Sequence, residues 1–128
     1  MAGELVLIVE DNERNLKLVR DVLQFKGYRT LEASNATAGL ELASAHRPDL
    51  ILMDIQLPDM DGAQALTHLK REPSTAAIPV VALTALATRE DQERLLEAGF
   101  DGYLMKPISV KEFPDQIRQF CDRARRGG

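Results

Sequence analysis

Leu50-Ile51-Leu52-Met53-Asp54 decides the fold: four apolar residues in a row, then a carboxylate, with Gln56, Pro58 and Gly62 close behind. A short unbroken apolar run reads as a strand buried on both faces, as in the middle of a parallel sheet. Asp54 then stands where the strand leaves the core. In open parallel sheets the crevice beyond the carboxyl ends of the strands is where ligands bind. Taken alone, such an aspartate equally suits the start of a Pro/Gly-containing turn. What separates the two readings is whether other strands bring chemistry to the same edge.

Working outward, Leu5 to Val9 is a second apolar run and ends in Glu10-Asp11-Asn12, while Pro79 to Thr84 is a third and ends in a hydroxyl. Tyr103-Leu104-Met105 runs into Lys106-Pro107, and Tyr28 to Ala33 alternates, with Arg29 and Glu32 giving it the wet side of an edge strand. Between these runs lie helical patterns. From Glu13 to Lys26, Leu16, Val19 and Leu23 recur at helical spacing with Leu18, Val22 and Phe25 beside them; Asn12 is the N-cap and Gly27 the stop. Further helices are expected at Ala36 to His46, about Met60 to Arg71 and about Arg89 to Ala98. Ser109-Val110-Lys111-Glu112 reads as a capping box for the last, whose stripe is Phe113, Ile117, Phe120 and Ala124. Pro114 falls about five residues into that helix and predicts a kink or a delayed first turn, because proline lacks the backbone donor.

Five alternations of strand and helix imply parallel strands joined by right-handed crossovers with helices on both faces. The expected fold is an α/β three-layer (βα)5 doubly wound parallel sheet. The most apolar strands belong in the centre, which favours the flavodoxin-like order 2-1-3-4-5.

With 128 residues the chain is expected to make one domain, core about 5–122, with no second domain. Its composition, 45% hydrophobic and 28% charged, is that of a globular domain, and a net charge of −4 offers no basic field to nucleic acid or an anionic membrane. No export or membrane-spanning segment is recognisable, so the expected location is cytoplasmic. Cys121 is the one cysteine and sits on an apolar helix face, as a core residue does. His46 and His68 fall on polar helix positions without ligand spacing. Arg123, Arg125 and Arg126 suit the negative end of the last helix.

In the expected topology the ends of strands one, three, four and five bring Glu10, Asp11, Asp54, Thr84 and Lys106 to one crevice. Three carboxylates so close do not stay ionised together without cations. Lys106 supplies one positive charge and a divalent ion would supply two; all-oxygen ligation beside phosphate chemistry favours Mg²⁺. Asp54 is ionised at neutral pH and needs no general base to attack a phosphoryl group, provided the phosphoryl oxygens are neutralised. Mg²⁺, Lys106 and the Thr84 hydroxyl suit that task, and the product would be an acyl phosphate on Asp54. Gln56 and Leu86 stand at the site mouth. Gln56 suits orientation of a hydrolytic water, whereas apolar Leu86 offers none, which predicts a moderately long-lived phosphorylated state.

Glu10-Asp11, Asp54, Thr84-Ala85, Tyr103 and Lys106-Pro107, in this order on these strand ends, resemble the receiver domains of two-component response regulators. The resemblance runs from about Leu5 to Asp122, and the wording around Asp11 and Asp54 is closer to the DivK-like single-domain receivers than to the chemotaxis type. It implies phosphoryl transfer to Asp54 from a sensor histidine kinase or histidine phosphotransfer protein. It also implies Mg²⁺ on Asp11, Asp54 and the Gln56 backbone carbonyl, with Glu10 acting through a metal water. Thr84 and Tyr103 would be switch residues reshaping the surface of the fourth helix, fifth strand and last helix for a downstream protein partner. The Lys106-Pro107 bond would be cis.

Three other functions fit a strand-end aspartate. An aspartate-nucleophile phosphohydrolase usually carries a second aspartate two residues on, where this chain has Gln56. A nucleotide- or flavin-binding module needs a glycine-rich phosphate loop, and neither common pattern occurs. A receiver used as a phosphorylation-independent docking domain needs no intact site, yet here every site residue is present. The polar fourth helix suggests a monomer when unphosphorylated.

Overall fold

The computed structural model describes residues 3–85 and 88–127, with side chains as far as Arg123. Leu86, expected at the site mouth, and the side chains of Ala124, Arg125 and Arg126 lie outside the described residues. Strands β1 (Leu5–Val9), β2 (Arg29–Ala33), β3 (Leu50–Asp54), β4 (Val80–Thr84) and β5 (Gly102–Met105) alternate with α1 (Glu13–Phe25), α2 (Ala36–His46), α3 (Gly62–Arg71), α4 (Arg89–Ala98) and α5 (Phe113–Gly127). All strand pairs are parallel and the order is β2-β1-β3-β4-β5, as the apolar content of the runs requires.

Each face of the sheet has its own core, because side chains alternate along a strand. Val6, Ile8, Leu50, Leu52, Val81, Leu83 and Leu104 pack with Val19 and Leu23 of α1 and Phe113, Ile117 and Cys121 of α5. Leu7, Val9, Ile51, Met53, Val80 and Ala82 pack with α2, α3 and α4 through Ala43, Leu66 and Leu95 among others. β3 is buried at every position and β2 is the wet edge. Cys121 is buried, and burial pushes its thiol up to about 11, so it is packing and not a reactive group. His46 and His68 are exposed.

Three local expectations change. Phe25 is 86% exposed, because it lies two residues past Leu23, about 200° around the helix from the buried stripe. α3 begins at Gly62, not Met60: Asp61 is its N-cap, with Gln64 completing a reciprocal capping box. α5 begins at Phe113, since Ser109–Glu112 forms a separate turn in which the Phe113 amide donates to the Ser109 carbonyl at 2.8 Å. Pro114 is therefore its second residue, where a missing N–H leaves no gap in the helix, and the delayed start replaces a kink.

Candidate functional site

Register explains the convergence. Glu10 continues the Val6–Ile8 row of β1, Asp54 the Leu50–Leu52 row of β3 and Lys106 the Leu104 row of β5, all on the face covered by α1 and α5. Backbone bonds hold the ends in the ladder: the Glu10 amide donates to Ala33 at 3.0 Å and the Lys106 amide to Thr84 at 2.8 Å. The Lys106–Pro107 bond is cis.

Lys106 Nζ stands 2.9 Å from Asp54 Oδ2, to which it donates, and 2.8 Å from Glu10 Oε1. The second Asp54 oxygen, Oδ1, accepts from the Gln56 amide at 3.0 Å. Glu10 is fully buried and Asp54 is 5% exposed. Asp11 is exposed, and it reaches the same point, with one carboxylate oxygen each from Glu10, Asp11 and Asp54 lying within 4.8 Å of one another. Asn12 follows and caps α1, its side chain accepting from the Arg14 and Asn15 amides.

Charge is not balanced here. By distance Lys106 pairs with Glu10, yet both Glu10 oxygens are buried without a hydrogen bond of acceptable geometry. A single proton shared by the two facing carboxyl groups makes a hydrogen bond between them, and Glu10, the more deeply buried, is the one that keeps it. Burial first, and the Asp54 carboxylate second, accordingly hold Glu10 up to about 7, with Lys106 opposing. Burial also pushes Asp54 upward, but bonds from Glu10, the Gln56 amide and Lys106 outweigh it and leave the carboxyl below its ordinary range. Asp54 is thus the ionised member of the pair. Orphaned, buried hard oxygens beside an exposed third carboxylate fit a small divalent cation with room for water.

Thr84 is buried at the end of β4, opposite Met105, and Tyr103 pairs with Ala82, so Thr84 and Tyr103 are diagonal neighbours on the α4 side of the sheet. Tyr103 is half-buried against that core. Gln56 is exposed at the mouth. The structure thus groups Glu10, Asp11, Asp54 and Lys106 on one side, with Thr84 and Tyr103 flanking them across the sheet edge. Asp59, missed in the sequence, ties the loop after Asp54 to α2; its signal, an acidic residue in a Pro-containing loop, is too common to single out.

Residues 6–118 match the response regulator receiver domain. The polar-differentiation response regulator DivK of Brucella anthropi is 47% identical over 119 residues, 93% of this chain and 97% of that protein. Among solved structures, a CheY-like response regulator receiver domain from Methanospirillum hungatei JF-1 superposes with a TM-score of 0.86 at 31% identity, covering 98% of this chain and 99% of that one. The receiver domain of sensor histidine kinase PA1611 from Pseudomonas aeruginosa PAO1, with a magnesium ion coordinated in its active-site cleft, gives 0.85 at 32% identity, covering 94% and 98%. Matched in sequence over most of its length and in fold across the whole sheet, the chain belongs to the response regulator receiver domains of two-component signalling.

Proposed function

We propose that Asp54 is the phosphoacceptor of this receiver, taking its phosphoryl group from a phosphohistidine on a sensor histidine kinase or histidine phosphotransfer protein. The observation that carries this reading is the shared Lys106: one cation divided between Asp54 and Glu10 leaves an ionised, positioned nucleophile and an excess of negative charge. A carboxylate oxygen of Asp54 attacks phosphorus, the P–N bond breaks, and its electron pair returns to the imidazole. The product is an aspartyl phosphate.

Asp11, Asp54 and the Gln56 carbonyl would hold Mg²⁺, with Glu10 acting through a water. When bound, the ion neutralises phosphoryl oxygens and orients them. Lys106 stands beside the acceptor and would screen the developing charge, and the Thr84 hydroxyl, at the neighbouring strand end, would answer a phosphoryl oxygen. Receiver domains are not classical enzymes; in this reading the chain catalyses only its own phosphorylation and dephosphorylation. Thr84 and Tyr103 would carry the change to the surface of α4, β5 and α5, where a downstream protein binds, the unphosphorylated chain being a monomer.

Incubation with acetyl phosphate and Mg²⁺ tests this by intact mass. Wild type is expected to gain one phosphoryl group with Mg²⁺ and none with EDTA, and Asp54→Asn to gain none. A gain by Asp54→Asn equal to wild type would overturn the assignment.

A further inference from the structure

The loop that leaves Asp54 is tied down by a residue with no part in the phosphoryl chemistry. Asp59 accepts from the Ala36 amide at 2.8 Å through Oδ1, and from the Thr37 amide at 2.9 Å and the Thr37 hydroxyl at 2.7 Å through Oδ2. Asn35, the N-cap of α2, accepts from the Ala38 amide at 2.8 Å. The first turn of α2 is therefore completed by a carboxylate that belongs to another loop, at the end of the helix where its dipole favours negative charge.

The rest of that loop is built to hold Gln56 in place. The Gly62 amide donates to the Ile55 carbonyl at 3.0 Å, and Gln56 and Asp61 form an antiparallel bridge. A Cβ on Gly62 would lie 2.8 Å from the Ile55 Cα and 3.2 Å from the Asp54 carbonyl, so glycine lets α3 start against the acceptor's own backbone. Leu57 is sunk into the α2/α3/α4 core. Closed at its base and anchored at Leu57, the loop is fixed on its outer side to α2 by Asp59.

We infer that Asp59 is a positioning residue for the acceptor site: by binding the N-terminus of α2 it fixes the 55–61 loop, and with it the Gln56 backbone, beside Asp54. The inference rests on the reading of Gln56 as a cation ligand. The Thr37 hydroxyl first, and the Ala36 and Thr37 amides next, hold the Asp59 carboxyl down to about 2, so the tie persists over the whole working range of pH. It also makes α2 and the acceptor loop move together.

Mg²⁺ titration calorimetry on wild type, Asp59→Ala and Asp59→Asn, with metal-free thermal melts alongside, tests it. Residues that orient metal ligands typically contribute about 10-fold or more to affinity, so Asp59→Ala is expected to weaken Mg²⁺ binding by about 10-fold. Asp59→Asn, which keeps one acceptor oxygen, should lose less. A merely structural tie would lower the melting temperature of both variants and leave the Mg²⁺ affinity of the folded chain at the wild-type value, and that result overturns the inference. If Asp59→Ala does not fold, wild-type affinity in Asp59→Asn overturns it equally. Failure of wild type itself to bind Mg²⁺ is a different result: it overturns the cation-site reading and this inference with it.

Discussion

Glu4 and Glu10 stand at the two ends of β1, 5% and 0% exposed, and each faces a cation from another element. At the amino end Glu4 meets Arg118 of α5, whose guanidinium reaches both carboxylate oxygens, pairs with Asp122 at 3.2 Å and lies 5.6 Å over the Tyr28 ring. At the carboxyl end Glu10 meets Lys106, a point charge already shared with Asp54. A planar fork satisfies a carboxylate and an aromatic face together; one ammonium divided between two carboxylates stands close to Glu10 yet leaves both its oxygens without a well-formed hydrogen bond. Glu4 raises Arg118 above its ordinary range, whereas Glu10 yields to burial and to Asp54. The same residue type, buried at both ends of one strand, closes a structural joint at one edge and leaves an excess of negative charge at the other.

Breaking the closed joint should have the largest effect on stability. Removing one member of a buried ion pair is expected to cost about 3 kcal/mol, so Arg118→Ala should lower the denaturation free energy by that amount. Its Mg²⁺ affinity below the melting transition should stay at the wild-type value. A weakened Mg²⁺ affinity would mean that the two edges are coupled, contrary to the comparison.

At the open edge the same operation should have the opposite sign. Glu10→Gln removes a buried charge that repels Asp54, and metal-free protein near pH 8 should gain about 1 kcal/mol of stability. Its Mg²⁺ affinity should fall by about 10-fold. A destabilised metal-free Glu10→Gln would show that Glu10 is a structural partner like Glu4.

The pH response sharpens the contrast without mutation. Glu10 has its carboxyl raised from 4.5 to about 7, so between those values the folded chain holds a proton that the unfolded chain has released. Metal-free stability should therefore fall as pH rises through this window and level off above it, while Mg²⁺ affinity rises. Arg118, held above its ordinary range by Glu4, stays charged throughout, so its own titration adds nothing to the slope. Denaturant melts showing no decline across the window would contradict this account.

Whatever depends on period and neighbourhood was legible from the chain. Four-residue apolar runs placed β3 and β4 in the centre, the alternation of Arg29 and Glu32 placed β2 at the edge, and parallel topology then brought Glu10, Asp11, Asp54 and Lys106 together. Long-range polar pairing that involves a helix or loop side chain was not legible. Arg118 meets Glu4 across 114 positions and Asp59 meets Ala36 across 23, and no local pattern marks either partner. Helix starts were legible only where one cap was dominant. Asn12 directly precedes the helical pattern of α1, but Asp59 and Asp61 flank Met60, and which of them caps α3 depends on the approach that Gly62 allows to the Asp54 backbone. Pro114 showed where α5 must be irregular, and Ser109–Glu112 took up that irregularity as a turn.

We propose Asp54 as the nucleophile, its use dependent on a cation at the open edge. The most direct test is transfer from a phosphorylated histidine phosphotransfer protein, followed by borohydride reduction, which converts an aspartyl phosphate to homoserine, and peptide mass mapping. Homoserine is expected at position 54 alone and is lost when EDTA replaces Mg²⁺. Homoserine at position 11, or modification of position 54 indifferent to EDTA, would contradict it.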